Sequence, residues 1–106
     1  MTVHSQAAAC EELVPGDHGR EILAACFLSF GEKLALVTGS EDTTVMIGEV
    51  NGLAVRNRRI VQTHIGSVRA LAKRSVQDGF LVASAGSKTE IHLLQIDENL
   101  VVKHVA

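Results

Sequence analysis

Leu34-Ala-Leu-Val-Thr-Gly-Ser-Glu-Asp-Thr-Thr-Val-Met-Ile47 is the stretch whose reading decides the fold. Leu34–Val37 is a short apolar run with a β-branched end, Thr38–Asp42 is turn chemistry, and Thr43–Ile47 is β-branched again. The order reads as strand, tight turn, strand. Gly39 and Gly48 argue against a helix, because each costs helix stability relative to alanine. Both faces of Leu34–Val37 are apolar, as expected of a strand covered on both sides.

The same pattern returns 46 residues later, without a gap. Leu34, Leu36 and Val37 fall on Phe80, Val82 and Ala83; Thr38 falls on Ser84, and Thr43 on Thr89. Val45, Ile47 and Val50 fall on Ile91, Leu93 and Ile96, while upstream His18 falls on His64, Ile22 on Val68 and Ala24 on Ala70. This period suits either a long propeller blade or a helical pair, and the strand–turn–strand chemistry decides for β. In the second copy Phe80–Ala83 leads to the turn-like Ser84–Lys88, and Thr89–Ile96 alternates with Ile91 and Leu93 on one face. Leu100–Val105 reads as a further strand. Ser67–Val76 resists: Val68, Leu71, Ala72 and Val76 have helical spacing. The alignment with Ile22–Cys26 nevertheless makes Val68–Ala72 a strand.

Composition sets the rest of the frame. The chain has 106 residues, enough for one small domain, and is 46% hydrophobic with three Phe and no Tyr or Trp. Its core must be aliphatic. No apolar run approaches the roughly eighteen residues of a membrane span, and no secretory signal opens the chain. Cys10 and Cys26 are too far apart for a CxxC site, and no disulfide is expected without a sign of export. Cys26 reads as a small buried hydrophobe. The expected compartment is the cytoplasm. The net charge of −2 hides an asymmetry: residues 1–50 carry eight acids and two bases, while residues 51–77 carry six bases and no acid.

His18-Gly-Arg-Glu-Ile22 followed by Leu36–Val45 resembles the WD repeat of β-propeller proteins. In that family a His at the start of a blade, a Ser or Thr on its second strand and an Asp in the following turn form a hydrogen-bonded set, often completed by a Trp on the third strand. His18, Thr38 or Ser40, and Asp42 match it; Gly48 stands where the Trp would be. In the second copy His64 and Ser84 match, Lys88 replaces the Asp and Leu94 the Trp. The resemblance implies an all-β fold of two consecutive blades, each an antiparallel four-stranded sheet, from an incomplete propeller. Residues 18–63 would be one blade and 64–106 a degenerate one, preceded by an extension at 1–17. A His that donates to a buried carboxylate and accepts from a hydroxyl would fix blade register, so these residues are read as structural.

Over residues 18–96 the order of pieces is similar to WD-repeat proteins that partner a tRNA ribose 2′-O-methyltransferase acting at the anticodon wobble nucleotide. This implies a non-catalytic scaffold fragment whose protein partner is that methyltransferase, with tRNA as a further candidate. A general WD-repeat adaptor for other proteins is the competing reading, and a stand-alone enzyme the weakest. There is no phosphate-cradling glycine loop, and the histidines at 4, 18, 64, 92 and 104 show no metal-ligand spacing. Hence no metal, cofactor, small-molecule substrate or membrane contact is expected. Arg56, Arg58, Arg59, Arg69, Lys73 and Arg74 are the candidates for contact with RNA or a partner, since guanidinium forks suit phosphate. The plainer alternative is a charged edge that blocks strand aggregation.

Overall fold

The computed structural model describes residues 20–106. Their strands are β1 (Ile22–Phe30), β2 (Lys33–Ser40), β3 (Thr44–Asn51), β4 (Ala54–Thr63), β5 (Val68–Val76), β6 (Gly79–Gly86), β7 (Ile91–Ile96) and β8 (Val102–His104). They form two four-stranded antiparallel sheets, in the orders β1-β2-β3-β4 and β5-β6-β7-β8. The described chain is all-β.

Several boundaries differ from the sequence reading. Thr38, Gly39 and Ser40 belong to β2, and only Glu41–Thr43 turn. Ser84–Gly86 is likewise strand. Leu100 and Val101 lie in the β7–β8 connection rather than in the last strand. Small and hydroxyl side chains were read as turn-formers, yet here they sit where the sheets are most tightly covered: Thr38 and Ser40 are buried.

The helix-like spacing in Val68–Val76 has a specific cause. This segment is a strand paired with β6 from Val68↔Gly86 to Val76↔Gly79, with a bulge between Val68 and Ala70. A bulge inserts one residue and resets the alternation of faces. Val68 and Leu71, three apart, therefore both contribute to the same core cluster. β1 has the matching bulge between Ile22 and Ala24, so the repeat extends to an irregularity of the backbone.

The main core lies between the sheets. Leu28, Ala35, Val37, Val45 and Ile47 of the first pack with Val68, Val82, Ile96 and Leu100 of the second side. Each fully buried Val, Leu or Ile contributes about 1.5–3 kcal/mol. Phe30 and Phe80 meet edge to face at 5.2 Å. Gly39 lets the sheets approach: a Cβ there would lie 2.4 Å from Val68 Cγ1. Two cations tie the sheets, Lys73 Nζ donating to the Phe27 carbonyl and an Arg59 guanidinium N–H to that of Leu100. Half-buried Cys26 packs against this core, and burial raises its thiol pKa, with nearby Lys73 opposing.

The two sheets present unlike faces to each other. The first offers Val37, Val45 and Ile47; the second offers Val68, Val82 and Ile96. The repeat-equivalents of those second-sheet residues are Ile22, Leu36 and Val50. These cluster together with Val55 on the other side of the first sheet. The units thus stack head to tail.

Candidate functional site

At the end of the second sheet that carries the β6–β7 turn, strand register gathers Ser84, Glu90 and His92 around buried His64, with His104 behind His92. Ser84 on β6 pairs across the sheet with His92 on β7. β8 pairs with β7 through Leu94↔His104. Glu90 precedes His92 by two residues, so both side chains leave the chain on the same side. The His64 backbone N–H donates to the Thr43 carbonyl at 2.7 Å, holding the histidine against the β2–β3 turn of the first sheet. Gly86 makes room for the ring: a Cβ there would stand 3.1 Å from His64 Nδ1.

His64 Nε2 lies 2.8 Å from Ser84 Oγ. Glu90 Oε1 accepts the Ile65 N–H at 2.7 Å. The other carboxylate oxygen lies 2.6 Å from His92 Nε2, and His92 Nδ1 is 3.0 Å from His104 Nε2. His64 Nδ1 is 3.2 Å from Glu90 Oε1. That approach is an ion pair only when His64 is protonated, and the buried nitrogen has no hydrogen-bond partner. Burial lowers the His64 pKa, with Glu90 pulling it back up and His92 adding to the fall. The hydrogen bonds from His92 and the Ile65 amide hold the Glu90 carboxyl below its usual range.

Ser84, His64 and Glu90 follow the order of a nucleophile, base and orienting acid. Ser84 is 0% exposed and His64 3% exposed, so no substrate carbonyl reaches the hydroxyl. The geometry joins the β4–β5 connection, β6 and β7 in one polar cluster.

The first sheet carries a different set. Ser40 Oγ donates to the Glu21 carbonyl at 2.9 Å and accepts the Asp42 N–H at 3.1 Å. Asp42 Oδ1 accepts from the Thr44 N–H at 2.9 Å and the Thr44 hydroxyl at 2.6 Å. Thr38 is buried beside them in sequence. His18 lies outside the described residues. Above Gly48, where a WD repeat often has Trp, the space belongs to β4: a Cβ there would meet Val55 Cγ1 at 2.3 Å and Arg58 Cγ at 3.0 Å.

The basic residues, contiguous in sequence, divide in space. Arg56, Arg58 and Arg59 lie on β4, the outer margin of the first sheet, and Arg69, Lys73 and Arg74 on β5, the opposite margin of the second. All six are exposed. Arg59 and Lys73 are engaged as the ties between sheets, and Lys73 also sits 5.7 Å from the Phe80 ring centre.

Sequence spacing did not reveal Glu90 and His92 as neighbours of His64, nor His104 as a neighbour of His92. Lys88 occupies the position of the repeat's acid, yet it is Glu90 that reaches the histidine. The signal was present in the alternation: Glu90 and His92 are two apart at the start of a strand, opposite Ser84. No protein-family model, curated protein or solved structure matches the chain.

Proposed function

We propose that the chain is a non-catalytic pair of WD-repeat blades, part of a cytoplasmic scaffold that binds and regulates a tRNA ribose 2′-O-methyltransferase. One observation carries the blade reading. Val45 and Ile47 are 0% and 1% exposed beneath the second sheet, whereas Ile91, the repeat-equivalent of Val45, is 68% exposed. The surface that a following sheet covers in the first unit is open in the second. Repeat units bury such faces on their neighbours, so a further sheet of the same kind fits there. The sealed Ser84–His64 pair supports a scaffold over an enzyme.

The methyltransferase partner follows from the resemblance of residues 18–96. The methyl-transfer chemistry belongs to that partner. Exposed Arg56 and Arg58 on β4 offer phosphate-matching groups at an outer margin, where tRNA or the enzyme would meet them. Affinity capture of the protein carrying this sequence should recover a ribose methyltransferase, and its deletion should lower wobble-nucleotide 2′-O-methylation. Capture of other complexes with unchanged methylation would replace this reading with that of a general adaptor.

A further inference from the structure

Among the described residues, His64, Glu90 and His92 place one ligand atom each within 4.8 Å of one another. Glu90 stands between the two rings, its oxygens 3.2 Å from His64 Nδ1 and 2.6 Å from His92 Nε2. The ring centres are 4.7 Å apart and the ring planes nearly perpendicular. We propose that His64 Nδ1, a Glu90 carboxylate oxygen and His92 Nε2 form a three-ligand zinc site, with water as the fourth ligand.

Three observations beyond the clustering support it. The first is the orphaned nitrogen. His64 Nδ1 belongs to a side chain with no exposure and has no hydrogen-bond partner. A buried polar atom left this way is costly, and a cation satisfies it. The second is that every ligand has a partner holding it from behind. If His64 donates its Nε2–H to Ser84 Oγ, Nδ1 keeps a lone pair facing Glu90. In the metal-free cluster His92 Nε2–H donates to Glu90; the tautomer that takes the ion carries its proton on Nδ1 and donates it to His104 Nε2. The Ile65 amide holds Glu90. Partners of this kind fix tautomer and ring direction in metal sites. The third is access, because the Glu90 and His92 side chains are 17% and 19% exposed. Ion and water can enter from their side, while Ser84 seals the other.

The donor set of two imidazoles and a carboxylate suits zinc, which binds nitrogen and oxygen at about 2.0–2.2 Å in tetrahedral sites. Ligand atoms then sit about 3.3–3.5 Å apart, so small side-chain rotations within the present cluster suffice. Binding moves the His92 ring proton from Nε2 to Nδ1 by exchange with water, and the carboxylate turns from accepting that proton to ligating the ion.

The test uses the 106-residue chain. Calorimetric titration with Zn²⁺ should give one ion per chain, and the melting temperature should rise with Zn²⁺. Co²⁺ in its place should show the visible absorption of a tetrahedral site. Glu90→Gln and His92→Gln, checked for retained strand signal without metal, should each abolish the saturable step. His104→Ala should weaken it about tenfold, as loss of an orienting partner does. A measurement on the unaltered chain removes dependence on variants: imidazole nitrogen NMR should show Zn²⁺ shifting His64 Nδ1 and His92 Nε2, with His64 Nε2 still protonated. The proposal is overturned by absence of saturable binding, by stoichiometric binding that survives Glu90→Gln and His92→Gln together, or by shifts confined to other histidines.

Discussion

The two sheets share a strand plan, the register of their first three strands and the position of a bulge, yet the residues at their ends differ: Glu90, His92 and His104 of the second stand where the first has Thr44, Met46 and Arg58. In the first, among the described residues, Ser40 bonds to the Glu21 carbonyl and the Asp42 N–H, and Asp42 bonds to Thr44. In the second, Ser84, His64, Glu90, His92 and His104 form a side-chain chain across β6, β7 and β8. The contrast teaches that the backbone pattern of a repeat can persist while the polar chemistry at its end is rebuilt. It also separates what the fold needs from what either unit does alone.

The sharpest way to break the comparison is to charge equivalent positions. Val45→Lys puts an unpaired charge between the sheets, costing several kcal/mol, and should abolish cooperative unfolding in urea. Ile91→Lys, at the same place in the second unit, should leave the unfolding free energy from urea titration within about 0.5 kcal/mol of the parent. Equal damage from both would mean that the second sheet's open face is buried in solution.

Gly39 and Ala85 form the next pair. Gly39→Ala drives a Cβ onto Val68 and should cost about 1–3 kcal/mol by overpacking. Ala85→Gly should cost about 0.5–1 kcal/mol, through backbone entropy. Both are read from denaturant midpoints.

Acid tests the second sheet's cluster. The His64 pKa in the fold is lowered from the ordinary 6.5. Below that value the unfolded chain takes up a proton that the folded chain resists, so stability falls as pH drops from about neutral toward the folded pKa. The Glu90 pKa is lowered from 4.5. Its contribution is present above that ordinary value and is lost as pH falls further, through its folded pKa. Melting temperature should therefore decline in two stages on acidification. Ser84→Ala should lower it at neutral pH by removing the bond to the buried ring, a cost of about 1–2 kcal/mol.

The smallest effect separates two threonines. Thr43 has φ of 77°, a left-handed conformation unfavourable for a β-branched residue, and its repeat-equivalent Thr89 is not among the positive-φ residues. Thr43→Asn should stabilise by about 0.5–1 kcal/mol, since Asn tolerates this region. Thr89→Asn should change little. Thermal melts of the two variants decide it.

Much of the fold was legible because the offset of 46 residues aligned hydroxyl with hydroxyl and aliphatic with aliphatic. The alignment makes Val68–Ala72 a strand where spacing alone reads helix, and the bulge explains the conflict. Thr38–Ser40 was misread because small polar residues suit both a turn and a tightly covered strand. At the site, His64 and Ser84 were visible from the repeat. Glu90 was not, because alignment tracks positions, whereas a glutamate reaches a neighbour's ring from two residues along. His92 and His104 meet only through the β7–β8 register, and twelve residues of sequence conceal that. The basic stretch misleads for a related reason: β4 and β5 are consecutive in the chain but lie at opposite margins.

Head-to-tail stacking of unlike faces has a consequence for how such a molecule can arise. Tandem duplication of one 46-residue segment supplies both halves of a joint at once, since each copy already bears plug and socket. A sandwich built from two like faces would need that single face to complement itself. Here Gly39 of one unit is the socket and Val68 of the next is the plug.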